Sequence, residues 1–469
     1  MPENYVLLER TELNASAASV TFANIPQTGY TDLKIVMSSR TDQTGSSGQD
    51  VYVRFNGDSG ANYSFRRLYG NGSSAASDAV SSSSTAGRIG RTNSVNATAN
   101  TFASAEFYIP NYTGSTAKSI SGDAVDETNA TGAIAQLTAT IWTGTASITS
   151  MQLFPFSSGT NFLANSTFSL YGLAALGTTP AIAPKAYGGN VIATDGTYWY
   201  HAFLSSGNFV PQTPLNADCL VIAGGGSGGT GNGPGSGNSG GAGGGGAGGL
   251  VAYTAQPLTA INYSITVGAG GAAVTGSSNG NVGNNSQFAA LTASAGGGYG
   301  AGNAASGTQV QGGTGGSGGG SANWNINSTL AGGTASPAGQ GNAGGSVTGN
   351  GGGNFGGGGG GAGGVGGQSS VSAGAPYGSG GAGSSSYSSW LSATSTGVSG
   401  LIAGGGGGGT GATGAGSIVS GGGGAGSNLN ANGTSGTANT GGGGGGGGSG
   451  FTSGAGGSGI VIIRYPIAS

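Results

Sequence analysis

Side chains capable of acid–base or nucleophilic chemistry are scarce in this chain. The only histidine, His201, lies in YWYHAF (residues 198–203), and the only cysteine is Cys219. A Ser-His-Asp triad would have to use His201, and a lone histidine in an apolar strand is more often structural. One cysteine excludes an intrachain disulfide, and with one histidine it cannot complete a zinc finger. We therefore expect no enzyme and no cofactor.

Three acidic residues form the one candidate metal site. Asp123, Asp126 and Glu127 lie close together and carry the hard oxygen ligands that calcium prefers. The favoured alternative is a solvated acidic turn, so we expect no bound metal. The basic pairs at 66–67 and in 88–91 are expected to be exposed charges that aid solubility, with interface contacts as the alternative.

Aromatic residues in the C-terminal half are the better binding candidates. Trp324 (with Asn325 beside it), Tyr377, Tyr387 and Trp390 lie among Asn, Ser and Thr. Aromatic faces stack on the apolar faces of sugars, and exposed Trp and Tyr are common at interfaces. These five residues are the receptor-binding candidates. The alternative, which the sequence leaves open for each aromatic ring, is that it fills a gap in the fold.

Composition separates the chain into two regions. Of the 469 residues 112 are Gly, and 92 of these lie between Gly224 and Gly459. Residues 219–463 contain no Asp, Glu, Lys, Arg or His, so they offer almost nothing for general acid–base catalysis. The net charge of -3 gives no electrostatic footprint for nucleic acid or an anionic membrane.

Residues 1–175 are predicted to form an all-β, jelly-roll-like sandwich, because short β-branched or alternating runs are separated by turn residues. Asn56-Gly57 is predicted to supply a tight turn, and residues 176–187 form a Pro- and Ala-containing linker. Almost no α-helix is expected. The predicted strands are Ser19–Ile25, Leu33–Ser38, Val51–Phe55, Ser104–Ile109, Ile134–Trp142, Ala146–Phe154 and Ser166–Leu173.

A small β base is predicted at residues 188–223, with strands at Asn190–Thr194, Tyr198–Phe203 and Cys219–Ala223 and a hairpin turn at Asp195-Gly196. A closing strand is predicted within 459–469. The apolar runs CLVI (219–222) and IVII (460–463) should pack together and bring both ends of the glycine-rich region to one base.

Residues 224–458 admit four interpretations. Collagen fails because Gly does not recur at every third position and Pro is rare. A flexible linker would not be this long with apolar runs such as YSITV (263–267) inside it. An aggregating segment is a weak option. The fourth, a bundle of extended polyglycine-II helices with three residues per turn, lets backbones approach closely enough to hydrogen-bond to one another.

Segments that carry side chains interrupt the glycine runs and are expected to be loops between successive helices. They are Thr275–Ser286, Ser321–Pro337, Gln368–Val398 and Ser427–Thr440.

The motifs that bound this region resemble a known family. DCLVIAGGG (218–226), GGL (248–250), YSITVGAGG (263–271) and GSGIVIIRY (457–465) resemble a glycine-rich domain of bacteriophage tail proteins, over roughly residues 188–466. The region is also similar to the tip adhesins of T-even-like phage tail fibres. YVRFNGD (52–58) and STFSLYG (166–172) more loosely resemble N-terminal modules of marine phage structural proteins.

The resemblance implies a virion receptor-binding protein, a tail fibre or tip adhesin that attaches to the bacterial host surface. Residues 1–175 would dock on other virion proteins of the tail or capsid, and variable loops would bind a surface glycan or an outer-membrane protein. A homo-oligomer such as a trimer is expected. The alternative is a purely structural virion fibre or decoration component. A glycan depolymerase is disfavoured, because its paired carboxylates would have to lie in residues 1–218.

The N-terminus lacks the apolar core of a signal peptide, and no run of 18 apolar residues occurs. We therefore expect synthesis in the host cytoplasm, a virion location and no membrane insertion.

Overall fold

A computed structural model describes residues 5–46, 48–126, 133–174, 183–231, 241–302, 310–322, 329–348, 356–370, 378–410, 420–428 and 431–467. These residues are nearly all β or extended, with one short helix, α1 (Ser388–Ala393), among them. Among them no helix has the length and apolar character needed to cross a membrane.

The strands in chain order are β1 (Tyr5–Glu12), β2 (Val20–Phe22), β3 (Tyr30–Ser39), β4 (Gly48–Phe55), β5 (Tyr63–Gly70), β6 (Ala75–Ser84), β7 (Gly87–Asn93), β8 (Ala103–Ile109), β9 (Lys118–Val125), β10 (Ala135–Trp142), β11 (Met151–Pro155), β12 (Thr167–Ala174), β13 (Ala186–Tyr187), β14 (Val191–Thr194), β15 (Tyr198–Phe203), β16 (Gly207–Pro211), β17 (Leu215–Ile222), β18 (Thr230–Gly231), β19 (Leu250–Leu258), β20 (Tyr263–Thr266), β21 (Gln287–Phe288), β22 (Val347–Thr348), β23 (Ser369–Ser370), β24 (Gly447–Ser449) and β25 (Ile460–Pro466).

The chain forms two compact units. The first comprises Met1–Lys185, Asn190–His201 and Pro466–Ser469, and the second comprises Ala186–Gly189 and Ala202–Tyr465. Residues 190–201, which the sequence analysis assigns to the β base, therefore group with the first unit.

The first unit is a β-sandwich. One sheet has the order β14-β1-β12-β3-β8-β9-β10-β5-β6, and the other has the order β2-β11-β4-β7. Strand β10 shows why the sequence folds this way, since its residues are alternately exposed and buried along its whole length. The buried residues of both sheets form one core that includes Leu33, Phe55, Leu153 and Phe168.

Two turn predictions in this unit are confirmed. Asn56 (φ 53°) and Gly57 (φ 70°) both adopt positive φ, and the Asp58 amide donates to the Phe55 carbonyl at 2.9 Å. Gly196, between β14 and β15, has φ 87°, a conformation that glycine adopts without strain.

The second unit contains the part of the predicted β base that pairs with the closing strand. Strand β17 pairs antiparallel with β25, with Leu220 opposite Ile462 and Val221 opposite Val461, so the two apolar runs pack together as expected. Strand β19 pairs with the other edge of β17. A second sheet has the order β13-β16-β20-β21.

The glycine runs form extended helices that bond to one another through their backbones. The segment 242–249, which we call the central glycine helix, shows the pattern most clearly. Its amides at Gly243, Gly246 and Gly249 donate to carbonyls at 301, 298 and 295 of one neighbouring segment. This spacing of three residues is that of a helix with three residues per turn.

The remaining amides and carbonyls of the central glycine helix serve five more neighbours. Residues 244 and 247 donate to 357 and 360, and residues 245 and 248 donate to 444 and 441. Its carbonyls accept from segments 226–229, 317–320 and 406–409. Six neighbours around one helix define a packed polyglycine bundle, as the sequence predicts.

Helices at the edge of the bundle correct one expectation. Segments 278–286 and 433–437 fall in stretches expected to be loops, but both are extended helices bonded to the bundle. The amide of Gly283 donates to Gly297, and that of Gly436 donates to Ala455. In 278–286, Gly280 and Gly283 are more buried than Asn281 and Val282 between them. A helix with neighbours on one side needs glycine only at every third position.

Candidate functional site

The two ends of the glycine bundle differ in what the chain attaches to them. One end holds the base, where the Ala223 amide donates to Gly249 at 3.1 Å and Gly249 donates to Ala295 at 2.8 Å. At the other end, Gly229 donates to Gly243 at 3.0 Å and Gly243 donates to Ala301 at 2.8 Å. We call this second layer the far end.

Most of the long interruptions of the glycine runs begin and finish at the far end. The described residues that flank 232–240, 303–309 and 323–328 include Thr230, Ala242, Ala301 and Ala322, which lie in or next to that layer. Three candidates, Trp324, Asn325 and Tyr377, fall in 323–328 and 371–377, outside the described residues. Ala322, the described residue that precedes Trp324 and Asn325, lies next to the far end, and Gly378, which follows Tyr377, accepts from the Gly408 amide beside that layer.

Tyr387 and Trp390 lie elsewhere. Trp390 is on α1 and is 6% exposed. Its ring lies edge-on to Tyr387, with centroids 5.6 Å apart, and the Arg464 guanidinium lies 4.3 Å from its centroid. Because Arg464 belongs to strand β25 of the base, this pair lies at the base. The burial of Trp390 favours gap filling, one of the two interpretations that the sequence leaves open.

The acidic candidates are not brought together. Asp123 is exposed on β9, whereas Asp126 is fully buried and accepts from the Arg91 Nη2 at 2.7 Å and Nε at 2.9 Å. Burial raises the pKa of Asp126, and Arg91 opposes that rise. Glu127 lies outside the described residues. Among the residues that the structure describes, no three His, Cys, Asp or Glu side chains gather as a metal site requires.

Arginines expected at the surface instead form a buried charge cluster in the sandwich. Arg67, Arg88 and Arg91 are each at most 8% exposed. Arg67 bonds to Asp78 at 2.5 Å, and both Arg88 and Arg91 pair with Asp50. The expectation of exposed charges is wrong for these three and holds for Arg66, which faces solvent.

The reason for the error is the position of these arginines in the fold. All seven residues of β7 are buried, so Arg88 and Arg91 have no route to solvent and must be paired where they stand. Burial, together with Arg91, lowers the pKa of Arg88 to about 10. The sequence of β7, GRIGRTN, has one apolar side chain among Gly, Arg, Thr and Asn, so it lacks the apolar pattern from which a buried strand is predicted.

The remaining reactive side chains are enclosed. His201 is fully buried in β15. Cys219 is fully buried in β17, and burial, with a contribution from Asp218, raises the pKa of its thiol to about 12. A thiol with this pKa is protonated at neutral pH and is a poor nucleophile.

The fold defines a class of protein in which a β-sandwich unit and an uncharged polyglycine bundle occur in one chain. Residues 204–466, more than half of the chain, match the family described as a glycine-rich domain, and the chain belongs to that family. No curated protein matches the chain.

Proposed function

We propose that this chain is a bacteriophage virion protein, a tail fibre or tip adhesin, that attaches to the bacterial host surface. The observation that carries the proposal is the asymmetry of the glycine bundle. Its base is closed by paired strands and carries Tyr387 and Trp390 packed against Arg464, whereas the residues that flank segments 232–240, 303–309 and 323–328 lie in or next to the far end.

The physical argument rests on what a polyglycine scaffold allows. The bundle is held by backbone hydrogen bonds between glycine helices, so a substitution in a segment that joins two helices removes none of the bonds described above. Such a scaffold suits a protein whose binding residues vary while its fold stays constant. The absence of charge from residues 219–463 favours recognition by stacking and hydrogen bonding over ion pairing.

The test is retention of the labelled full chain on intact cells of a panel of bacterial strains. Trp324→Ala combined with Asn325→Ala should reduce retention about tenfold, the size expected when an interface hot spot is lost. Tyr377→Ala should act in the same direction. Tyr187→Ala is the matched control, because this aromatic side chain is 61% exposed in the base sheet.

Two results would overturn the proposal. One is that no strain retains the wild-type chain while antibody labelling places it along a particle, which is the behaviour of a purely structural virion component. The other is that Tyr187→Ala reduces retention as much as the far-end substitutions do, which would mean that the surface is non-specifically adhesive.

A further inference from the structure

The outer face of the large sheet in the first unit carries a depression of about 650 Å³, formed by side chains of β3, β5, β8, β9 and β10 and by Tyr5. The pairing of β8 with β9 brings two acidic residues of the depression side by side, because Glu106 on β8 lies opposite Asp123 on β9. Leu137 on β10 lies opposite Asp123 on one side and Leu68 on the other. The depression therefore has a polar side formed by β3, β8 and β9, and a second side formed by β5 and β10 where Leu68 and Leu137 lie beside Arg66.

Several groups on the polar side are fixed by their neighbours. The Tyr108 hydroxyl donates to Asp32 at 2.6 Å, a bond that raises the pKa of Tyr108 to about 12. Lys34 Nζ lies 2.8 Å from a Glu106 oxygen and 5.6 Å from the centroid of the Tyr5 ring. Such contacts hold aromatic rings in one orientation before any ligand arrives.

Other groups in the depression are exposed and uncommitted. The side chains of Arg66 and Asp123 face solvent, and neither side chain makes a hydrogen bond or an ion pair to another described residue. Leu68 and Leu137 are 55% and 60% exposed, high values for neighbouring leucines on a sheet. A ligand would thus meet the Arg66 guanidinium, the Asp123 carboxylate and the exposed side chains of two leucines.

We infer that this depression binds an uncharged oligosaccharide. Lys34 and Arg66 balance Glu106 and Asp123, and the fifth charged lining residue, Arg67, is paired with Asp78. The site therefore has no unbalanced charge that would select an anionic or cationic ligand. Carboxylate and guanidinium groups can bond to neighbouring hydroxyls, while Tyr5 and the leucines can cover the C–H faces of a sugar ring. The volume lies within the range of about 300–1,000 Å³ usual for small-ligand sites.

This inference does not depend on the proposed function, because the depression is built entirely from residues of the first unit. A site here would give the chain a second sugar-binding surface besides the far end of the bundle. An extended protein segment from a partner is the other occupant that the test must distinguish.

The experiment measures binding of the full chain to immobilised neutral di- to tetrasaccharides, with sulfated oligosaccharides and peptides on the same surface. We expect retention on neutral sugars. Asp123→Asn and Tyr5→Ala should each weaken it about tenfold. Leu137→Ser should also weaken it, whereas Ile141→Ser is the matched control: Ile141 is on the same strand and face and is 45% exposed.

Three outcomes would overturn the inference. They are no retention on any neutral sugar, preferential binding to the peptides, and sugar binding that survives Asp123→Asn and Tyr5→Ala but is lost with Trp324→Ala. The last result would assign sugar binding to the far end alone, so the two proposals can fail separately. Circular dichroism of each variant checks that the sandwich remains folded.

Discussion

The sandwich and the glycine bundle both exclude water from their interiors, but they do so with different atoms. In the sandwich, glycines make room for side chains: a Cβ on Gly122 would lie 2.5 Å from the Phe107 ring, and one on Gly172 would lie 2.5 Å from Tyr30. In the bundle, glycines make room for backbone: a Cβ on Gly245 would lie 2.1 Å from the Gly226 carbonyl oxygen. The bundle therefore has a core made of peptide groups.

This difference changes what stabilises each unit. Side-chain burial in the sandwich gains roughly 25 cal/mol per Å² of apolar surface. In the bundle each ordered glycine costs about 0.5–1 kcal/mol relative to alanine, and each backbone hydrogen bond contributes about 0.5–1.5 kcal/mol net. In the bundle, the cost of ordering a glycine and the net contribution of a hydrogen bond are similar in size. Every amide of the central glycine helix must therefore be paired, and all eight, from Ala242 to Gly249, are.

The sharpest test of a backbone core is the addition of one methyl group. Gly245→Ala should destabilise the bundle by about 4–5 kcal/mol, the upper end for single substitutions, because the clashing carbonyl belongs to a helix that is itself fixed by neighbours. Gly364→Ala is the control, since the nearest described atom to its Cβ is 3.4 Å away. Hydrogen exchange of the bundle amides would measure the effect. Equal protection in both variants would contradict a backbone core.

The second prediction concerns buried charge, which the sandwich contains and the bundle does not. Arg91→Met should cost about 3 kcal/mol, because it leaves the Asp126 carboxylate buried without its partner. Arg91→Met combined with Asp126→Asn should cost less than the single change. Urea unfolding followed by the tyrosine and tryptophan fluorescence of the sandwich gives both values. A double variant less stable than Arg91→Met would contradict this account.

How far the sequence predicts this molecule depends on whether its signals are apolar. Alternation predicts strands such as Ser104–Ile109, close to the observed β8, and the two apolar runs predict the β17–β25 pair. Strands β5 and β7 escape prediction because their buried positions include arginines, whose partners are set by tertiary contacts.

In the bundle, continuous glycine predicts an interior helix, but an edge helix resembles a loop. Segment 433–437 has glycine only at 433 and 436, and Thr434, Ser435 and Thr437 at the other positions are exposed. The number of glycines in each turn of a helix follows the number of helices that pack against it. This relation can be recognised only once the packing is known. Candidate sites are harder still to predict, because the burial of an aromatic residue such as Trp390 is set by tertiary contacts that its neighbours in the sequence do not reveal.

The third prediction uses pH to separate the two units. Burial raises the pKa of Glu9, on β1, from 4.5 to about 8. The folded sandwich thus keeps a proton that the unfolded chain loses above pH 4.5, so its stability is full at low pH and falls as pH rises towards 8. The loss between about pH 5 and 7 should be roughly 2–3 kcal/mol.

Glu9→Gln should remove this slope, since an amide carries no proton to lose. Glu12→Gln is the control, because Glu12 is on the same strand and pairs with Arg10. This substitution should leave the pH dependence of stability unchanged. Residues 219–463 contain no ionisable Asp, Glu, Lys, Arg or His, so bundle protection should be nearly independent of pH in all three proteins. A sandwich whose stability rises over this pH range would contradict the burial of Glu9.

The smallest expected effect concerns the charges that bound the uncharged region. Arg464 Nε donates to Asp218 at 3.0 Å, and the two side chains are 22% and 23% exposed. The other Asp218 oxygen accepts from the Ala255 amide at 3.0 Å, where Ala255 has φ 50°. The Asp218 carboxylate therefore contacts both the closing strand β25 and the bulge of β19 at Ala255, where the register of the β17–β19 pair shifts.

Substitutions of Asp218 can separate these two roles. Asp218→Asn keeps an acceptor for Ala255 and loses the ion pair, so it should cost about 0.5–1 kcal/mol, and less in high salt. Asp218→Ala should cost about 1 kcal/mol more, because the Ala255 amide loses its partner at a strained backbone position. Urea unfolding at two salt concentrations measures both. If the two variants lost the same stability, the ion pair alone would account for the effect. In that case the bulge of β19 would need no side-chain acceptor for the Ala255 amide.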